Sequence, residues 1–247
     1  MSEQYNPELP VEIQIPEVKT FSFISFFKNV LKWTSLILLG MIVFSILMVI
    51  VYRFVNPPIT PLMISRSIEG IKPRDQKQWI SYQQIPQAMV NAVIASEDNR
   101  FAEHSGFDFD AMREAHQQNK KGKRLRGAST ITQQTCKNVF LWNGRSYIRK
   151  GLEAWFTVWV ELLWSKQRIM EVYLNVIEMG SGIYGIEAAS RIYYHKPASK
   201  LMREEATMIA IILPSPRKRN PVKPTEYMLK RQQQILDLMD KIGTVKL

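Results

Sequence analysis

Two carboxylates and a set of cations are spaced as a working site would need them. Glu97-Asp98 leads into Phe101-x-x-His104-x-Gly106, and Glu153 follows Arg149 and Lys150. Between them lies Gly127-Ala-Ser129-Thr130-Ile-Thr-Gln133-Gln134, with Lys137 three residues on and Arg145 beyond. Two carboxylates in different surroundings can divide the duties of base and electrostatic partner. Hydroxyls and backbone N–H groups at a helix start, with Lys and Arg nearby, can hold a diphosphate. A base beside such an anion-binding surface is what transfer of a sugar off a diphosphate requires. The plainer reading is that Glu97 caps a helix, Glu153 pairs with Arg149 at i,i+4, and the cations form a solvated face.

The elements that would position these groups are helical. Pro86 opens a helix ending at Glu97-Asp98, and Asp108 caps another with Phe109, Met112 and Ala115 on one face. Thr130 and Gln133 have the spacing of a capping box. Further helices are predicted over 147–164, from the Ser165 cap to 175, over 186–194, 204–213 and 225–242. Met228, Ile235, Leu238 and Met239 form the predicted buried stripe of the last. Gly180, Gly182 and Gly185 break the chain between helices, and no alternating run argues for a large sheet. The predicted fold class is mainly α.

Residues 33–52 are twenty in succession without a charge, bracketed by Lys32 and Arg53. At ~1.5 Å per residue they reach about 30 Å, the thickness of a bilayer's hydrocarbon core. Trp33 and Tyr52 stand at the ends, where amphipathic rings favour the interface. No cleavage site follows, so the reading is an uncleaved single-span anchor. Lys19, Lys28 and Lys32 before it balance Arg53, Arg66 and Lys72 after it, so charge does not fix its orientation. Residues 1–20 read as a disordered tail, 53–80 as a connector, and 81–247 as one compact domain.

The chain carries 33 Lys and Arg against 22 Asp and Glu, a net +11. Residues 1–55 hold four of each sign, so the whole excess lies beyond them. That excess suits an anionic partner. A nucleic acid fits poorly, since no recognised binding motif is present and a membrane span is. His104, His116 and His195 lack close metal-ligand spacing. Cys136, the single cysteine, reads as a small buried residue. Ser25-x-x-Lys28 and Ser215-x-x-Lys218 lack the companion segments of a serine–lysine active site.

In order and spacing, these segments resemble the peptidoglycan glycosyltransferase family, found in bifunctional penicillin-binding proteins and monofunctional transglycosylases. The resemblance covers roughly residues 80–222. It rests on the segments above together with Ser165-Lys166, Glu171-x-Tyr-Leu-Asn175, Gly180-x-Gly182-x-x-Gly185 and Leu213-Pro-x-Pro216. Ala128 stands where a second glycine is frequent, and Thr135-Cys136 where Leu and a variable residue are common. Too little chain follows for a transpeptidase domain, so the resemblance is to the monofunctional biosynthetic type.

The resemblance implies a lysozyme-like helical lobe, a smaller membrane-associated lobe and one N-terminal transmembrane helix. Residues 1–32 would be cytoplasmic, and the domain would face the periplasm from the inner membrane of a bacterium. The implied reaction transfers a glycan chain from polyprenyl diphosphate to the 4-hydroxyl of lipid II, with inversion to a β-1,4 link. Glu97 would be the base and Glu153 the second carboxylate. Lys137, Arg145, Arg149 and Lys150 would serve the diphosphate with Ser129, Thr130, Gln133 and Gln134. Asp98, Phe101, His104 and Gly106 would support them. The resemblance also implies Mg²⁺ or another divalent cation near Glu153 or Asp98, no organic cofactor, other cell-wall assembly proteins as partners, and a mobile basic loop at 119–126. Competing readings are a membrane-anchored muramidase or lytic transglycosylase, and a non-catalytic assembly scaffold. A hydrolase needs an acid to protonate the departing sugar oxygen, whereas a diphosphate departs without one.

Overall fold

The computed structural model describes residues 23–74, 78–120, 129–144 and 146–247. The tail 1–20, most of the basic loop, and Arg145 lie outside the described residues. The fold is mainly α, with ten α-helices and one short hairpin among the described residues.

The chain divides into two compact units, one ending at Phe44 and one running from Ser45 to Leu247. Helix α1 (Phe23–Phe54) supplies the described part of the first. Its segment Phe26–Phe54, with mean hydropathy 2.8, is long and apolar enough to cross a membrane. Its last turns belong to the second unit. There Trp164 Nε1 donates to the Val49 carbonyl at 2.9 Å, and the Arg168 guanidinium donates to the carbonyls of Tyr52 and Val55. Val49 is fully buried.

The connector is more ordered than its sequence suggests. Helix α2 (Pro61–Ile68) begins at Thr60, whose hydroxyl accepts from Met63 N, with Pro61 in the first turn where its missing N–H costs nothing. Helix α3 (Gln87–Glu97) starts after Pro86 and carries buried Met89, Val90, Val93 and Ile94. In α4 (Phe109–Lys120), Asp108 Oδ1 accepts from Ala111 N at 2.9 Å. The apolar face of α4 is only partly covered. Ala115 is buried, but Phe109 and Met112 are exposed, with no described element covering that side.

Helices α5 (Ile131–Phe140), α6 (Tyr147–Leu163) and α7 (Lys166–Val176) pack together. A two-stranded antiparallel hairpin, β1 (Glu178–Gly180) and β2 (Ile183–Tyr184), occupies the glycine-rich break. Its turn needs Gly182, at φ +71°, because a Cβ there would lie 2.3 Å from the Lys72 carbonyl oxygen. Helices α8 (Ile186–Tyr194), α9 (Arg203–Ile212) and α10 (Glu226–Ile242) follow, and α3, α9 and α10 pack against one another. Met228, Ile235 and Met239 are the buried stripe of α10, with Leu238 only half-buried.

The Glu171-x-Tyr-Leu-Asn175 segment staples the chain entering this domain. Glu171 accepts from Trp79 Nε1 and Tyr82 N, while Asn175 exchanges two hydrogen bonds with the Ile80 backbone.

Candidate active site

Glu97 ends α3 at the wall of a cleft of about 190 Å³ that Asp98, Glu114, Ser129, Thr130 and Arg231 also line. Its Oε2 accepts from Gln134 Nε2 at 2.9 Å, and the Gln134 carbonyl accepts from the buried Tyr173 hydroxyl at 3.3 Å. The amide is thereby fixed in the orientation that donates to the carboxylate. Burial pushes the Glu97 carboxyl above its usual range, and the Gln134 bond and the charges of Arg231 and Arg219 pull it partly back. A carboxylate so placed is a better proton acceptor than a solvated one. Among the described residues no donor reaches Oε1.

Asp98 has another task. Its Oδ2 accepts from Ile131 N at 3.0 Å and its Oδ1 meets His104 Nε2 at 2.9 Å. A buried carboxylate thus stands at the positive end of α5, joining it to the end of α3. Thr130 and Gln133 form the expected capping box, and the Thr130 hydroxyl donates to the Gly106 carbonyl at 2.7 Å. At this helix start the N–H groups of Thr130, Ile131 and Gln133 meet protein acceptors.

His104 and Phe101 complete this brace. The His104 carbonyl accepts from Lys166 Nζ at 2.6 Å, and that ammonium also pairs with Glu161 and lies 4.5 Å from the centre of the Phe101 ring. Gly106, at φ +83°, lies so close to α6 that a Cβ would sit 2.6 Å from Thr157 Cγ2. Gly106→Ala is expected to cost about 3 kcal/mol through overlap and a strained φ. Thermal unfolding would show it against Gly151→Ala, whose added methyl meets nothing within 4 Å.

The second carboxylate lies on α6. Glu153 is buried, bonded by Arg149 Nη1 at 2.7 Å and paired with Lys150 Nζ. Arg149 is held in turn by the Gly144 carbonyl at 2.7 Å. Lys150 Nζ also reaches Ser129 Oγ at 3.4 Å, so the cation group touches the wall of the Glu97 cleft. The Lys137 ammonium on α5 makes no hydrogen bond among the described residues. Burial holds its ammonium below the ordinary lysine range; Glu153 offsets this in part, and Arg149, Lys150 and Arg66 add to it. A buried ammonium crowded by other cations is poised to gain from an arriving anion.

Among the described residues the oxygens of Glu153 and Asp98 are engaged by protein groups. Both Glu153 oxygens face protein cations. Ligand atoms of Asp98, His104 and Asp108 lie within 4.8 Å of one another, but both Asp98 oxygens and Asp108 Oδ1 already accept from protein donors. Burial pushes the Cys136 thiol far up, which agrees with a packing role.

Sequence reasoning missed Glu114, Arg219 and Arg231. Arg219 and Arg231 lie in segments far along the chain from Glu97 and reach it only through the packing of α3, α9 and α10.

Helices, a recessed carboxylate and a neighbouring cation cluster define a class that comparison with known proteins makes definite. The chain matches the family described as Transglycosylase over residues 65–240, and it belongs to that family. It is 50% identical over 219 residues to the biosynthetic peptidoglycan transglycosylase of Bacteroides thetaiotaomicron, covering 87% of this chain and 88% of that protein. The proteins of the same description from Caulobacter vibrioides and Shewanella oneidensis are 53% and 47% identical. Those alignments cover 76% and 89% of this chain, and 81% and 95% of the relatives. The biosynthetic relatives favour the synthetic reading over the lytic and scaffold ones.

Proposed function

We propose that this protein polymerises peptidoglycan glycan strands, transferring a polyprenyl-diphosphate-linked glycan to the GlcNAc 4-hydroxyl of lipid II. The observation that carries the reading is a half-buried Glu97 with raised proton affinity, in a cleft whose Ser129 wall is bonded to the Lys150–Glu153–Arg149 group.

In this reading Glu97 Oε1 takes the proton of the acceptor's 4-hydroxyl as its oxygen attacks the donor's anomeric carbon. The bond from that carbon to the phosphate oxygen breaks, and its electrons leave with the polyprenyl diphosphate. Attack from the opposite side inverts an α-linked donor to a β-1,4 product. Charge grows on the departing diphosphate, so fixed cations favour the transition state over the ground state. Lys137, Arg149 and Lys150 supply those cations, with Glu153 holding the latter two in place. Arg145 is assigned to the same group by resemblance alone. A divalent cation would arrive with the diphosphate and neutralise part of its charge, because the carboxylates here are already paired.

The apolar helix α1 serves as the anchor, with the tail cytoplasmic and the domain periplasmic. Confinement to the surface that carries both lipid-linked substrates raises their effective concentration.

Lys137→Ala is expected to raise the KM for the lipid-linked glycan donor about ten-fold or more, the scale of one charge-assisted phosphate contact. Donor binding should also weaken as pH rises through the lowered Lys137 value, before an ordinary lysine would titrate. Initial rates against donor concentration and pH test this. Unchanged donor dependence would remove Lys137 from the phosphate site.

A further inference from the structure

Helix α10 forms part of the wall of the Glu97 cleft, and the segment that follows it ties that helix to α3. Arg231 and Leu238, two turns apart on one side of α10, line the cleft together with Glu97. Among the described residues the Arg231 side chain hydrogen-bonds only to Gln234 of its own helix, at 3.2 Å. Where its charge falls is therefore decided by where α10 lies.

The chain leaves α10 at Gly243, whose φ of +70° and ψ of −157° belong to a region that glycine alone adopts readily. That turn carries residues 243–247 past α3 to α7. Asn91 meets the segment twice: its Nδ2 donates to the Gly243 carbonyl at 3.1 Å, and its Oδ1 accepts from Val245 N at 3.4 Å. Gln87, one turn earlier on α3, donates from Nε2 to Asn91 Oδ1 at 2.8 Å and to the Val245 carbonyl at 2.9 Å. Gln167 of α7 donates to the Leu247 carbonyl at 2.6 Å. Val245 and Leu247 pack against the core. Four hydrogen bonds with side-chain amides thus hold these five residues in one register. Arg231 lies near the end of α3, whereas Gly243 lies beside its first half, so the two helices run antiparallel. The clasp grips the far end of the helix that carries Arg231.

We propose that Asn91 and Gln87 are positioning residues for the reaction: with Gly243 they clasp α10 in the place along α3 that keeps the Arg231 guanidinium at the Glu97 cleft. The proposal rests on the reading of Glu97 as the general base. Neither amide lines the cleft, so any effect on the base must pass through α10. The charged and titratable groups around Glu97 are Asp98 beside it, Tyr173 on α7, Asp108 and Glu114 in the cleft lining, Arg219 and Arg231. Arg219 lies outside α10 and donates to the Ile211 carbonyl at 2.6 Å, which leaves Arg231 as the member of this set that moves with the helix. Burial raises the proton affinity of Glu97, and the Arg231 charge offsets part of that rise. A loosened clasp withdraws the offset, so Glu97 keeps its proton to a higher pH and is the free base over a narrower range.

The test uses the full chain with Asn91→Ala or Gly243→Ala. A Cβ at Gly243 meets nothing within 4 Å, so the second change acts through backbone direction alone. With labelled lipid II, kcat/KM is followed from the acid limb to the plateau. In both variants the limb should move to higher pH, with rates on it falling about three-fold or more and the plateau within about two-fold of wild type. Arg231→Gln should move the limb in the same direction, and Asn91→Ala added to it should move the limb no further. A limb that stays in place in both clasp variants overturns the proposal, whatever their melting temperatures. So does a uniform fall at every pH, the mark of a merely structural role, or a shift that adds to that of Arg231→Gln. Glu97→Gln separates the two possible failures. If it is inactive while the clasp variants leave the limb unmoved, the clasp alone falls; if it polymerises normally, the base reading falls and takes the proposal with it.

Discussion

Glu97→Gln protein is expected to fold, bind lipid II and make almost no polymer. Amide for carboxyl preserves shape and the contact with Gln134, but it removes the proton acceptor. General-base catalysis contributes about 10²–10⁴-fold, so the rate should drop by roughly that amount. The wild-type rate should rise with pH along an acid limb that lies above the ordinary carboxylate range, because burial raises the Glu97 value. The sign for stability is opposite. A carboxyl that holds its proton more tightly when folded adds stability below its unfolded value, and that stability is lost as pH rises through the folded one. The glutamine variant should therefore melt at or above the wild type near pH 7, with the difference vanishing on acidification. A variant of near-normal activity would remove Glu97 as the base.

Glu153→Ala should lose both activity and stability. Arg149 is almost as buried as Glu153 and would be left with the Gly144 carbonyl as its remaining described partner. Breaking a buried pair by deleting one member costs about 3–5 kcal/mol. For a domain of this size that is roughly a 10 °C fall in melting temperature. Glu153→Gln retains an acceptor for Arg149 and should recover part of the stability while remaining impaired, since Lys150 and Arg149 lose the charge that positions them. If Glu153→Ala melted like the wild type, Glu153 would be a surface partner of Lys150 and not the keystone of the cation group.

Much of this was legible in the chain because its signals are local. The capping box at Thr130 and Gln133, the caps at Asp108 and Ser165, and the prolines before α3 and after α9 fix helix ends within a few residues. The reactive groups were legible as types in a spacing. Their division of labour was not. Asp98 adjoins Glu97, yet it caps a helix 33 residues away, a contact that no local pattern announces. Arg66 meets Glu178 across 112 residues, and Thr60-Pro61, an ordinary helix start, was hidden in a segment read as a connector. The exposed side of α4 shows the converse. Helical periodicity locates an apolar stripe, but only the packing decides whether anything covers it.

The central claim is tested most directly by incubating the detergent-solubilised full-length protein with labelled lipid II and Mg²⁺, then treating the products with lysozyme. High-molecular-weight polymer that lysozyme digests is the result expected of a β-1,4 glycan-strand polymerase. Lipid II that is bound but returned unchanged would contradict that account.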